Sequence, residues 1–223
     1  GYQSLNLAAK IQTPVIVISD KFLGESSTST DDLTKRKPSI DYGDIKNNID
    51  GEFKRYQYTK NGISPRTLPG TKNGQFLANS YEHNEPGFST ENAHEAQQMF
   101  DKRMLKNKLA LKLSPKANFF SNKSAKKLII SWGSTKGPIL EALKNTSDYA
   151  FLQIRTVWPI NPDIKKIIDS FKETIVIENN GNGQLVSVLK SQFDFNPSQI
   201  YLKYDGRPFF PEEIVKYLDI KNL

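Results

Sequence analysis

Three polar loops follow apolar runs in this chain, and each carries side chains able to bind a ligand or a partner. Glu178-Asn-Asn180 runs into Gly181-Asn-Gly183, which sets a carboxylate beside the amides of Asn179 and Asn180 on a flexible loop. Gly133-Ser-Thr-Lys-Gly137 offers backbone N–H groups and the hydroxyls of Ser134 and Thr135 to an anion at a helix N-terminus. Arg207, on the turn Tyr204-Asp-Gly-Arg-Pro208, can hold a carboxylate or phosphate in a bidentate fork. Each loop also has a purely structural reading: amides and hydroxyls satisfy neighbouring backbone in turns, and arginines pair with carboxylates within a subunit or across an interface.

Other combinations are less productive. Glu82-His-Asn-Glu85 with His94 and Glu95 has irregular spacing in a loop context, unlike the tight ligand spacings of metal sites. No serine has an evident histidine base and acid partner, so a self-contained hydrolase is unsupported. With no cysteine, the chain can supply neither a disulfide nor thiolate ligands to an iron–sulfur cluster or zinc ion. No catalytic residue and no metal ligand is assigned.

The elements that position the loops follow from the apolar pattern. From residue 127 short apolar runs alternate with helical patterns: strands at 128–132, 150–157, 174–178 and 200–204, helices at 137–143, 162–171, 183–192 and 211–218. Such alternation predicts right-handed βαβ units and a mostly parallel sheet covered on both faces, with binding loops at the carboxyl ends of the strands. The fold class expected is therefore α/β, a three-layer αβα domain at 125–223. Residues 1–25 predict a helix and then a buried strand over 14–20, the end of a partial α/β domain that continues upstream. Residues 26–124 predict a long irregular arm, with at most short strands around Tyr56 and Phe76, and a bridging helix capped by Ser89-Thr90, running from Glu91 to Pro115 with Ala93, Ala96, Phe100, Met104 and Leu109 on its apolar stripe.

Composition bounds the class. The chain has 223 residues, 37% hydrophobic and 25% charged, with a formal charge of +7. No run approaches the roughly 18 apolar residues of a membrane span, and no signal peptide is evident, so a soluble cytoplasmic protein is expected. Residues 101–127 hold nine basic side chains against one acidic, so this segment carries the whole excess charge and the remainder is close to neutral. That segment predicts a solvated helix face or an acidic protein partner; nucleic acid is disfavoured, since no aromatic residues interleave the lysines as a stacking platform needs.

In order along the chain, Thr13-Pro-Val-Ile-Val-Ile-Ser-Asp20, Gly62-Ile-Ser-Pro-Arg66 with Leu68-Pro-Gly70, Glu82-His-Asn-Glu85 with Gly87, and Lys102-Arg-Met104 resemble the alpha subunit of 2-oxoacid:ferredoxin oxidoreductases. Trp132-Gly-Ser-Thr135, Trp158-Pro-Ile-Asn-Pro162, Glu178-Asn-Asn180 with Gly183-Gln-Leu185 and Tyr204-Asp-Gly-Arg-Pro208 continue the resemblance to the end, so it covers nearly the whole chain. It implies the C-terminal half of that subunit: 1–25 ending a thiamine diphosphate pyrimidine-binding domain, 26–124 an arm, and 125–223 a domain similar to the transketolase C-terminal domain.

The resemblance further implies an enzyme that decarboxylates a 2-oxoacid on thiamine diphosphate, passes electrons through a [4Fe-4S] cluster to ferredoxin, and transfers the acyl group to coenzyme A. A beta subunit would carry the diphosphate-binding domain with its Mg2+ and the cluster, in a heterodimer with the alpha subunit. The family's Tyr-Pro-Ile-Thr-Pro motif, its substrate-binding arginine and the carboxylate that activates the cofactor's pyrimidine are absent here and are expected upstream. Asn84 stands where the family pattern has aspartate, and the loop over 180–183 is variant. The chain alone is expected to be inert, with Ser64, Arg66, Glu82, His83, Ser134, Thr135, Glu178, Asn179, Asn180 and Arg207 as candidates for a subunit interface or for lining the approach of coenzyme A. The rival readings are a noncatalytic assembly domain of a 2-oxoacid dehydrogenase beta subunit and a basic nucleic-acid-binding α/β module.

Overall fold

Leu128 and Ile130 lie in one buried apolar cluster and Ile129, between them, in another, so the strand they share is covered on both faces. The structure, a computed structural model, describes residues 1–35 and 37–219. Its helices are α1 (Tyr2–Ile11), α2 (Lys21–Glu25), α3 (Ala93–Leu113), α4 (Lys136–Ala142), α5 (Asp163–Asp169), α6 (Gln184–Phe193) and α7 (Pro211–Leu218). Its strands are β1 (Asn118–Phe120), β2 (Lys127–Trp132), β3 (Tyr149–Ile154), β4 (Glu173–Glu178) and β5 (Gln199–Leu202). Two compact units result, one of residues 1–17 and 30–114 and one of 18–29 and 115–223, a division drawn differently from the three segments 1–25, 26–124 and 125–223.

The second unit is a three-layer sandwich. Its five strands run in the order β1-β3-β2-β4-β5, all parallel except β1, which pairs antiparallel with β3. In register, Leu128 faces Ala150 and Ile130 faces Leu152, while Ile129 faces Ile175 across β4. Ile164 and Ile168 of α5 and Leu185 and Leu189 of α6 pack on one face of the sheet; Ile139 of α4 and Ile214 and Leu218 of α7 pack on the other. The chain leaves β2 toward one face through α4 and leaves the adjacent β4 toward the opposite face through α6. That divergence is a topological switch point, where the backbones part and open a crevice.

The first unit has little apolar core: Ile11, Phe53, Met99 and Ala110 are its buried apolar side chains. Side chains instead satisfy the backbone of its irregular arm, as buried or half-buried peptide groups require. Lys102 Nζ donates to Tyr56 O at 2.6 Å and Lys106 Nζ to Gln12 O at 2.9 Å. Ser64 Oγ donates to Gln57 O at 2.9 Å, and Gln12 Nε2 to Ser64 O at 2.5 Å.

Several expectations are corrected. The apolar run over 14–20 forms no strand: Ile16, Val17 and Ile18 are 85%, 70% and 60% exposed, because among the described residues no neighbouring strand pairs with them. The arm is irregular as expected, and among its described residues the only pairings are the isolated bridges of Ile45 with Arg66 and His83 with Ser89. The cap of α3 is Asn92, whose side chain accepts from His94 N and Glu95 N, while Thr90 bonds the Glu95 carboxylate instead. Helix α3 buries Met99, Lys102 and Ala110 and leaves Phe100 and Met104 outside, so the apolar stripe read from the sequence is not the buried face. The lysines at 102 and 106 are accordingly not part of a solvated face. Strand β1 was not foreseen: three residues after a proline carry no period of their own.

Candidate functional site at the carboxyl ends of the strands

Glu178 ends β4 at the switch point and is fully buried. Its Oε2 accepts from Leu185 N and Asn180 Nδ2, each at 2.8 Å, and from Trp132 Nε1 at 3.3 Å; its Oε1 accepts from Val186 N at 3.1 Å. The two backbone donors are orphan N–H groups of the first turn of α6, so the carboxylate serves as the helix's cap from a neighbouring strand. Asn180 closes the loop from the other side, its Oδ1 accepting from Asn182 N at 3.1 Å and Gln184 N at 3.3 Å. Gly183, at φ 60° just before α6, supplies a left-handed turn that suits glycine.

On the β2 side, Thr135 is buried and its hydroxyl donates to Trp132 O at 2.6 Å, while Ser131 Oγ donates to Ile177 O at 2.5 Å and ties β2 to β4. Ser134 is half-buried, and its N–H donates to Asp20 Oδ2 at 3.2 Å. Asp20 also caps α2 through Leu23 N at 2.9 Å; burial alone would raise its carboxyl, but the bonds from Ser134 and Leu23 together outweigh it and lower the carboxyl from its ordinary value. The N–H of the turn, which could have been offered to an anion, is thus taken by a carboxylate of the same unit.

At the end of β5, exposed Asn179 donates to Lys203 O at 2.8 Å and to Arg207 O at 3.4 Å, stitching two strand-end loops together. The fork of Arg207 closes on Asp205, two residues back, at 3.0 and 2.6 Å, and this pairing lowers the Asp205 carboxyl and raises the guanidinium from their ordinary values. Lys203 is buried and pairs with Glu213, whose Oε2 also caps Phe210 N at 2.8 Å at the start of α7. Of the ten candidates, Ser134, Thr135, Glu178, Asn179, Asn180 and Arg207 therefore lie at the strand ends of one unit, and most of their polar groups are engaged internally.

The other four lie in the first unit. Ser64 is buried in the backbone network described above, and Arg66 Nη2 donates to Tyr42 O at 3.0 Å. Glu82 takes both arms of Arg103 at 3.0 and 2.6 Å, which lowers its carboxyl from the ordinary value. The His83 ring stacks on Tyr56 with centroids 3.6 Å apart, and its Nδ1 is buried without a partner among the described residues. Burial, with help from the cations Arg103 and Lys102 and against the pull of Glu82, lowers its pKa.

A stability step follows from His83. The unfolded histidine takes up a proton near its ordinary value before the folded one does, so the unit loses stability as pH falls through about 6.5. His83→Phe keeps an aromatic ring against Tyr56 and removes the titration. Between about pH 7 and about pH 5.5 the parent is expected to lose measurably more stability to urea than the variant. Equal losses would contradict this account; the window lies above that of Glu82.

Lys102 and Gln12 were missed by sequence reasoning. Burial beside Lys106 and Arg55 lowers Lys102 to about 8, and Gln12 binds Ser64, Arg55 and Lys106 at once. The signal for Lys102 was its place among Met99, Lys106 and Ala110 at helical spacing; Gln12 gave none.

No protein-family model matches the chain. Among curated proteins, the alpha subunit of 2-oxoacid:ferredoxin oxidoreductase 2 from Aeropyrum pernix is 32% identical over 222 residues, covering 95% of this chain and 34% of the relative. The corresponding alpha subunit from Saccharolobus solfataricus is 34% identical over 225 residues, covering 96% of this chain and 35% of the relative. Over nearly its whole length this chain is similar to part of a 2-oxoacid:ferredoxin oxidoreductase alpha subunit. Among solved structures, 2-oxoglutarate:ferredoxin oxidoreductase from Magnetococcus marinus, with 2-oxoglutarate, coenzyme A and succinyl-CoA bound, superposes with a TM-score of 0.86 at 30% identity, covering 96% of this chain and 38% of that one. The chain spans about a third of the length of these oxidoreductase subunits, less than the half expected.

Proposed function

We propose that this chain is a segment of the alpha subunit of a thiamine diphosphate-dependent 2-oxoacid:ferredoxin oxidoreductase. The whole enzyme would oxidatively decarboxylate a 2-oxoacid, pass electrons to ferredoxin and conserve the acyl group as its coenzyme A thioester. The observation that carries this is the agreement in sequence and fold over 95–96% of the chain with proteins of that activity. Residues 1–25 would end the pyrimidine-binding domain and 125–223 would form the transketolase C-terminal-like domain. The enzyme would work in the cytoplasm; no helix of the described residues is long and apolar enough to cross a membrane.

Within that enzyme, the segment's part is assembly, with the loops after β2, β4 and β5 flanking the approach of coenzyme A. Two features support an assembly role: the candidate polar groups are largely bonded within their own units, and large apolar side chains such as Ile16, Leu23, Trp158 and Tyr204 stand exposed. The residues here do not fit the iron–sulfur cluster or a metal ion. There is no cysteine, and among the described residues no group of three histidines or carboxylates that could hold a metal. Thiamine diphosphate, Mg2+ and the [4Fe-4S] cluster would be held by the beta subunit and the remainder of the alpha subunit.

The test is intact-mass and N-terminal analysis of the protein purified from its source, with a 2-oxoacid- and coenzyme A-dependent dye-reduction assay on the same fraction. Upstream alpha-subunit peptides, a cysteine-rich partner and activity are expected together. A solitary chain of 25.3 kDa without partner or activity would overturn the assignment to a working oxidoreductase.

A further inference from the structure

Four asparagines in this chain are followed by glycine: Asn61, Asn73, Asn180 and Asn182. Such pairs have a spontaneous chemistry. The glycine nitrogen, unshielded by a neighbouring side chain, loses its proton to solvent base and attacks the asparagine Cγ. The N–Cγ bond forms, the Cγ–Nδ2 bond breaks, and ammonia leaves with a proton from solvent. Water then opens the cyclic imide to aspartate or to isoaspartate. Two conditions govern the rate in a folded chain: a side-chain amide free to swing, and a glycine N–H free of an acceptor.

The structure distributes these conditions unevenly. Gly62 N donates to Thr59 O at 3.2 Å, and Asn61 Oδ1 accepts from Ile63 N at 3.0 Å. Gly74 N donates to Thr71 O at 3.0 Å. Asn180 is pinned by its bonds to Glu178, Asn182 and Gln184. At Asn182 both conditions are met among the described residues: the side chain is exposed and makes no hydrogen bond, and the N–H of Gly183 has no acceptor. Gly183 is itself buried, but the carbon it attacks belongs to the exposed residue.

We propose that Asn182 is a self-modifying site, converting to aspartate and isoaspartate in preference to the other three asparagines. Its position gives the change a reach beyond one residue. Isoaspartate adds a carbon to the backbone immediately before Gly183, the residue that turns the chain into α6, and the first-turn N–H groups of that helix hold Glu178. Modification at Asn182 therefore loosens the connection between β4 and α6. The proposal does not depend on the oxidoreductase assignment.

Peptide mapping by mass spectrometry after incubation of the full chain at mildly alkaline pH tests it. Asn182 is expected to gain the mass of an amide-to-acid change about tenfold faster than Asn180, since several hydrogen bonds must break at Asn180 first. In strong urea the four asparagines are expected to react at similar rates. Asn182→Gln, which leaves the backbone and Gly183 untouched, is expected to abolish the early product. Conversion first at Asn61, Asn73 or Asn180 in the folded chain, or the same ranking in urea, would overturn the proposal.

Discussion

Glu178→Ala is expected to destabilise the α/β unit by about 3–5 kcal/mol. The alanine leaves the first-turn N–H groups of Leu185 and Val186 without their acceptor, frees Trp132 Nε1 and Asn180 Nδ2, and opens a cavity at a position with no solvent exposure. Each buried donor so orphaned costs about 1–3 kcal/mol, although the half-exposed ones recover part of this by meeting water. Glu178→Gln makes a sharper comparison. With its carbonyl oxygen in the place of Oε2 the amide keeps three of the four donors and sets its NH2 against Val186 N. That variant is expected to lose about 1–2 kcal/mol. Urea titration followed by circular dichroism separates them; a loss below about 1 kcal/mol for the alanine would mean that the carboxylate does not anchor the loop.

The second large effect is a rise in stability with pH in the unit that contains α3. Lys102 is 6% exposed and has a pKa of about 8 against its ordinary 10.5, chiefly through burial. The folded chain releases this proton earlier than the unfolded chain, which binds more protons between about 8 and 10.5. Stability therefore increases across that window, by an amount on the order of 2 kcal/mol. Lys106 is shifted in the same direction by the same cause. Tyr58, raised by burial and by Glu85, acts oppositely above its ordinary value of 10.0, so the gain is cleanest below that pH. Lys102→Met is expected to cut the slope by about half or more; near neutrality the removal of a charge the fold disfavours offsets part of the cost of leaving Tyr56 O without its donor. Hydrogen exchange of the α3 amides, corrected for intrinsic rates, reads the slope; an unchanged slope in the variant would remove Lys102 from the explanation.

How far the sequence could be read depended on which forces hold each segment. Strands β2 to β5 and helices α4 to α7 were legible to within a few residues because their order rests on apolar burial, which leaves a period in the sequence. The run over 14–20 has strand composition and no strand, because a strand needs neighbours as well as apolar residues. The arm was legible only as irregular, since its order comes from single side-chain bonds such as Lys102 to Tyr56 and Gln12 to Ser64, which no periodicity announces. Among the candidates, the location at the strand ends was readable and the orientation was not. Arg207 turns to Asp205, and Glu178 turns inward to α6, choices that depend on distances the sequence does not carry.

Both tryptophans of the chain, Trp132 and Trp158, lie in the α/β unit, and their surroundings differ. Trp132 is half-buried with its indole N–H on Glu178, whereas Trp158 is 65% exposed. The protein thus contains an internal optical contrast: a dynamic quencher in solution extinguishes the emission of one indole and spares the other. Five tyrosines, at 2, 42, 56, 58 and 81, are the chromophores of the remaining unit. Selective excitation of indole therefore watches one half of the molecule while the other stays dark, and a melting curve recorded that way is silent about α3 and its buried lysines.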